Sequence, residues 1–118
     1  KIMLEREVYD TITYCADGKC AIVWVTLDML NRLNIGEDEI EGLASIPRQI
    51  EGVLIGITMK EKEGGFFKIS VRTNGDIDAA KFCSRFGGGG HKAAAGCSVN
   101  GSLEDVRSQL IKAAEETL

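Results

Sequence analysis

The sequence holds one histidine, one tryptophan and one proline, and aromatic residues make up only 6% of its 118 positions. A single histidine, His91, cannot build a histidine-rich metal centre, and neither His-x-x-Glu-His nor Asp-His-His occurs. Serines have no second histidine and no nucleophile elbow beside them, so a serine acyl-transfer triad has no machinery here. Apolar runs stay well short of the ~20 residues that a membrane-spanning helix needs, and no basic-then-apolar leader is visible. Positive charge is scarce as well: 14 Lys and Arg stand against 18 Asp and Glu, giving a net charge of −4. That balance argues against a broad cationic face for long duplex DNA, whose affinity comes from neutralised phosphates. It leaves room for a small local site that takes one or two phosphates.

What is present is globular in character. Hydrophobic residues at 44% and charged residues at 27% are ordinary for a folded domain, and no repeat or low-complexity tract interrupts them. The length suits one domain over 1–118. The first residue is Lys1 rather than methionine, so the sequence is expected to be a piece of a longer protein with a neighbouring domain. Four cysteines, Cys15, Cys20, Cys83 and Cys97, lack the spacing of a zinc site. Cys15 and Cys20 flank an Asp17-Gly18 turn and count out as direct cross-strand partners. With no secretory signature, reduced thiols are the expectation.

Local patterns divide the chain into elements. Residues 7–14 mix β-branched and aromatic types, and 21–26 form a strong apolar run; with the turn between them they predict a β-hairpin. Residues 27–33 carry leucines and Met29 at helical spacing, with Asn34 or Gly36 to end the helix. Residues 37–46 predict a short acidic helix stopped by Pro47. Two apolar stretches at 52–59 and 66–72 predict a second hairpin. In the latter, Phe67, Ile69 and Val71 face one way and Lys68, Ser70 and Arg72 the other. Asp76 is expected to cap a helix over 77–86, a short strand is expected at 96–100, and Ser102 opens a last helix with Glu104 and Asp105 in its first turn. The sum is an α+β (mixed α/β) fold. It has about five strands in a mixed sheet, two hairpins plus a short strand, packed with about four helices.

The chemistry concentrates in Arg85-Phe-Gly-Gly-Gly-Gly-His-Lys-Ala-Ala-Ala-Gly96. One glycine suffices to end the preceding helix, and Gly87 suits that task. Gly88, Gly89 and Gly90 would let successive N–H groups turn toward an anion, with His91 opening a helical turn whose dipole points at the same place. A packed or flexible glycine loop with a solvent-facing histidine fits the composition equally well. The run matches neither the P-loop nor the dinucleotide fingerprint. Arg72 favours the anion reading, because it ends a strand just before the turn and helix that deliver the glycines, where a guanidinium can clamp phosphate bidentately. Lys92 and Arg85 would add local positive field. Asp76-Ile77-Asp78 resembles a DxD metal motif, yet helix capping explains it better. Trp24 lies within an apolar strand and is read as core.

Taken together, Lys68-Ile-Ser-Val-Arg72, Gly75-Asp-Ile-Asp78 and Phe86-Gly-Gly-Gly-Gly-His-Lys-Ala-Ala-Ala-Gly96 resemble the DHH-associated C-terminal substrate-binding domain of DHH superfamily phosphoesterases. The branch that they resemble most is the bifunctional oligoribonuclease and phosphoadenosine phosphate (pAp) phosphatase, also called exopolyphosphatase-related. The resemblance implies that Arg72, Gly88, Gly89, Gly90 and His91 hold the phosphate and nucleotide end of a short oligonucleotide or nucleoside bisphosphate. It also implies an N-terminal DHH domain in cis with two divalent metals, usually manganese. The Asp and His ligands for those metals have no counterpart here, so this piece by itself would bind no cofactor, carry no catalytic residue and be inactive. A cytoplasmic location, no membrane partner and a homodimer are compatible with the resemblance. Within the superfamily, a RecJ-like exonuclease or a cyclic-dinucleotide phosphodiesterase is the alternative. Outside it stand a non-catalytic nucleic-acid-binding module of the kind that accompanies alanyl-tRNA synthetases, and an oligomerisation domain with a glycine hinge.

Overall fold

The computed structural model describes residues 2–40 and 42–118. One six-stranded mixed sheet organises them. Its strands are β1 (Thr13–Cys15), β2 (Cys20–Val25), β3 (Ile55–Lys62), β4 (Phe66–Thr73), β5 (Gly89–Gly90) and β6 (Ala94–Asn100), in the spatial order β1-β2-β3-β4-β6-β5. β2 and β3 are parallel, and every other neighbouring pair is antiparallel. The helices are α1 (Ile2–Asp10), α2 (Leu27–Leu33), α3 (Ala79–Ser84) and α4 (Leu103–Thr117), with three short 3-10 turns between α2 and β3. The mixed α+β class and the two hairpins agree with the sequence reading. The sixth strand is the short Gly89–Gly90 segment, paired onto β6.

Alternation along β4 divides the molecule into two layers. Phe67, Ile69 and Val71 point to one face, where they join Ile55, Ile57 and Met59 of β3 and Ala95, Cys97 and Val99 of β6 beneath α3 and α4. Val106, Leu110, Ala113 and Ala114 form the α4 stripe that closes this core. Ser102 accepts from the Asp105 N–H at 3.1 Å and starts that helix. On the opposite face, Val23 and Val25 of β2 are covered by Leu4 and Val8 of α1, Met29 and Leu30 of α2, and Ile40, Leu43 and Ile46 of the 3-10 turns. The 3-10 turn Leu43–Ser45 carries this layer over β3, where the Thr58 hydroxyl donates to the Leu43 carbonyl at 3.4 Å, and as far as β4. Among the described residues no α-helix packs on the β4–β6–β5 part of that face.

Several elements depart from expectation. Residues 7–10 belong to α1, because Leu4 and Val8, four apart, reach the core as a helical pair; the first strand is only Thr13–Cys15. The acidic stretch 37–46 folds as 3-10 turns at Glu37–Ile40 and Leu43–Ser45, interrupted at Gly42, whose φ is +94°; Glu41 lies outside the described residues. Asp78, not Asp76, caps α3, accepting from the Lys81 N–H at 3.1 Å. Cys15 and Cys20 do oppose each other across the hairpin, and all four cysteines are free thiols. The Cys20 thiol donates to Cys15, which draws Cys15 below the usual thiol range, while that bond and burial push Cys20 up. Trp24 is half-buried against the α4-side core, with the Arg107 guanidinium 5.0 Å over its ring.

Candidate functional site: the uncovered half of the sheet

The register places Gly56, Arg72 and Ala94 side by side across β3, β4 and β6. His91 extends this row. Its N–H donates to the Ala94 carbonyl at 2.7 Å and its carbonyl accepts from the Ala94 N–H at 3.3 Å, closing a tight hairpin with Lys92 and Ala93 at the tip. Directly opposed residues of an antiparallel pair share a face, so Arg72 and His91 rise from the same uncovered side. Ala94 lies between them, and two strand spacings separate their backbones by ~10 Å. The adjacent row is Thr58, Ser70, Gly96 and Gly89. The result is a shelf with a floor of Ala94, Gly96 and Gly89, bordered by Arg72, Ser70 and His91.

The four glycines have separate reasons to be there. Gly87 has φ +80° and ends α3; its N–H donates to the Ser84 carbonyl at 3.1 Å, and the Gly88 N–H donates to Cys83 at 3.0 Å. These two bonds form a Schellman cap. Gly88 and Gly90 face the α3 side. A Cβ on Gly88 would sit 2.1 Å from the Gly96 carbonyl oxygen, and one on Gly90 would sit 2.7 Å from the Ala95 Cα. Gly89 alone faces the shelf, where a Cβ would meet nothing within 4 Å. Its backbone needs no glycine, and its neighbours leave it room.

This geometry replaces the expected nest of consecutive N–H groups. The Gly88 donor is spent on the α3 cap and the His91 donor on the hairpin. Because antiparallel pairs alternate, Gly89 exchanges its bonds with Gly96, and Gly90 is left with its N–H pointing off the sheet edge. His91 likewise closes a hairpin rather than opening a helical turn, so no helix dipole is aimed from it.

Residues 72–74 tie the shelf together. Arg72 donates from Nη1 to the Val71 carbonyl at 3.3 Å, and among the described residues no carboxylate pairs with it. Thr73 is buried, with its Oγ1 2.8 Å from the Ile77 carbonyl and 3.2 Å from the Lys92 carbonyl. Its own N–H donates to the Ala93 carbonyl at 3.1 Å, and the Ala79 N–H donates to Lys92 at 2.6 Å. The hairpin tip that carries His91 is thereby docked on the strand end that carries Arg72. Asn74 works in the other direction: its Nδ2 donates to the Arg48 carbonyl at 3.1 Å and the Val53 carbonyl at 2.9 Å. Neither Thr73 nor Asn74 stands out in sequence; their adjacency to Arg72 is the one local signal.

Arg85 does not join the shelf. Its Nη2 contacts the Glu116 carboxylate and its Nη1 donates to the Ala113 carbonyl at 3.4 Å, which turns it toward α4. A groove of about 690 Å³ on that side sets Asp76, Asp78 and Glu116 against Lys81, Arg85 and Lys92 in its wall, so it carries no net positive field of its own. Among the described residues no group of three or more His, Cys, Asp or Glu side chains could hold a metal ion. The described residues do not fit a divalent metal centre. No helix among the described residues is long and apolar enough to cross a membrane.

Comparison with known proteins agrees with this architecture. The DHHA1 domain family matches residues 17–118. The bifunctional oligoribonuclease and PAP phosphatase NrnA of Thermus thermophilus is 29% identical over 83 residues, 70% of this chain and 25% of that protein. The chain thus spans about a quarter of that curated relative. An exopolyphosphatase-related protein from Bacteroides fragilis superposes with a TM-score of 0.85 at 24% identity, covering 98% of this chain and 35% of the other. The pGpG-specific phosphodiesterase PggH from Vibrio cholerae shares the fold at a TM-score of 0.63 and 15% identity, covering 99% and 39%. With five of the six strands and the entire Arg72–His91 shelf inside the matched residues, the chain belongs to the DHHA1 domain family.

Proposed function

We propose that this chain is the substrate-holding part of a longer DHH phosphoesterase, and that its uncovered shelf receives the phosphorylated end of a short oligonucleotide or a nucleoside bisphosphate. The observation that carries the reading is the position of Gly89. It is the one glycine of the run that the chain's own backbone and packing do not require, and it faces the side where Arg72 and His91 stand. A bare floor between an unpaired guanidinium and an imidazole suits the close approach of a flat, anionic ligand. Arg72 would take phosphate oxygens through its fork of donors, and His91 would donate from the far side. Gly88 and Gly90 contribute by letting β5 press against the α3 side, which sets the height of the floor.

Under this proposal the chain's contribution to hydrolysis is orientation. Holding the substrate's phosphate in one geometry converts attack at the scissile bond into an effectively unimolecular step. An N-terminal DHH domain would supply the divalent metals, manganese in the family pattern, that activate water. The acidic net charge is consistent with a local grip on small substrates, since only the shelf need be positive.

Titration of this chain with adenosine 3′,5′-bisphosphate, followed by amide NMR, tests the reading. Shifts concentrated at Arg72 and Gly89–His91 are expected, and Arg72→Ala should abolish them without changing the rest of the spectrum. An unchanged spectrum at millimolar ligand would overturn the assignment of the shelf.

A further inference from the structure

Arg48 is a further arginine beside the shelf. It lies in the 3-10 turn Pro47–Gln49, distant in sequence from Arg72 and the glycine run. In space its backbone rests on Gly56, the β3 partner of Arg72. A Cβ at Gly56 would fall 2.6 Å from the Arg48 nitrogen and 3.1 Å from its Cα. Adding the width of one strand pair puts the Cα atoms of Arg48 and Arg72 within about 10 Å of each other. Two arginine side chains bridge that separation easily.

The placement is held from the Arg72 side. Both Asn74 amide bonds run to this segment, one to the Arg48 carbonyl and one to Val53, and the Asn74 N–H adds a third bond to Leu54 at 3.0 Å. The three residues at the end of β4 therefore present one arginine and fix the backbone of another. Among the described residues neither guanidinium pairs with a carboxylate, whereas Arg32 pairs with Glu7 and Asp28, and Arg85 with Glu116. Two cations brought together there without a counter-charge would repel each other, and an anionic ligand with more than one phosphate would relieve that repulsion.

We propose that Arg48 is a second phosphate-binding arginine, which engages the phosphate of the substrate not held by Arg72 and His91. Arg48 thereby selects ligands with two phosphate groups over monophosphates. This rests on the assignment of the shelf as the substrate site. Adenosine 3′,5′-bisphosphate and AMP are the probes, each titrated against this chain and its Arg48→Gln and Arg72→Gln variants. Arg48→Gln should weaken the bisphosphate about tenfold or more, as expected for losing a charge-assisted contact, and leave AMP within about twofold. Arg72→Gln should weaken both ligands. Arg48→Lys, which keeps the charge and loses the fork, should fall between. Thermal unfolding should not move in Arg48→Gln, because Asn74 bonds to the Arg48 backbone and not to its side chain. Unchanged bisphosphate affinity in Arg48→Gln, or an equal loss for both ligands, would overturn the role of Arg48 while leaving the shelf in place. Failure of the unsubstituted chain to bind either probe would overturn the shelf itself and this inference with it.

Discussion

The two faces of β4 are built from the same eight residues and have opposite fates. Phe67, Ile69 and Val71 lie under α3 and α4, while Lys68, Ser70 and Arg72 look out from a face on which, among the described residues, no α-helix packs. The contrast continues through β6 and into the glycine run. Gly88 and Gly90 are glycines because β6 leaves no volume for a Cβ on that side, and Gly89 is a glycine on the side where volume is free. Closure on one side is a matter of stability, and openness on the other leaves a surface for a ligand. The two arginines nearest the glycine run differ as well: Arg85, turned toward α4, has its carboxylate, and Arg72 on the open side has none among the described residues.

The largest expected effect comes from exchanging the two kinds of glycine. Gly88→Ala forces a methyl to 2.1 Å from the Gly96 carbonyl and 2.6 Å from the Cys97 Cβ, so β5 must separate from β6. A loss of roughly 3 kcal/mol or more in urea unfolding is expected, at the upper end of overpacking costs. Gly89→Ala meets no atom and removes freedom from the unfolded chain, so stability should hold or rise by up to ~1 kcal/mol. Affinity for adenosine 3′,5′-bisphosphate should nevertheless fall about tenfold in Gly89→Ala, since the methyl stands on the shelf floor. A Gly89→Ala variant that binds normally would show that the ligand does not reach that floor.

An intermediate effect is expected at Thr73, the hinge between the two faces. Thr73→Val keeps the shape and removes the proton shared by the Ile77 and Lys92 carbonyls. The expected cost is ~1–2 kcal/mol, because a buried acceptor loses its partner. Thr73→Ser restores the hydroxyl and should recover most of both stability and ligand affinity. If Thr73→Val lowered stability and left affinity intact, docking of the hairpin tip would matter to folding alone.

How far the sequence discloses this arrangement depends on the range of the interaction. The alternation of β4, the Asp17-Gly18 hairpin, the Ser102 cap and the role of Gly87 are set by residues within a few positions of one another, and each is legible. Helix α1 is not, since Leu4 and Val8 acquire their meaning only by packing on Val23 and Val25. The division of labour among Gly88, Gly89 and Gly90 is hidden for the same reason: it depends on pairing with β6, across a hairpin tip where local pattern predicts a helical turn. Arg72 could be singled out because it ends an alternating strand. Thr73, Asn74 and Arg48 could not, because the bonds that tie them to the rest of the site span 19 to 26 positions.

The smallest expected effect tests whether the two faces are electrostatically separate. The Arg85 guanidinium beside Glu116 holds that carboxyl below the ordinary carboxylate range. A depressed folded-state value means that the pair stabilises the fold above the unfolded carboxylate pKa of about 4.3, and that its contribution is lost as pH falls through the folded value. Glu116→Gln should therefore lower the unfolding midpoint slightly at pH 7, and the difference from the unsubstituted chain should vanish at low pH. The substitution also releases Arg85 from its carboxylate. Since Arg85 is turned toward α4 and away from the shelf, nucleotide affinity at pH 7 should not change. A gain in affinity would mean that a charge on the helix side acts on the open side, and the contrast between the faces of β4 would then hold for packing and fail for charge.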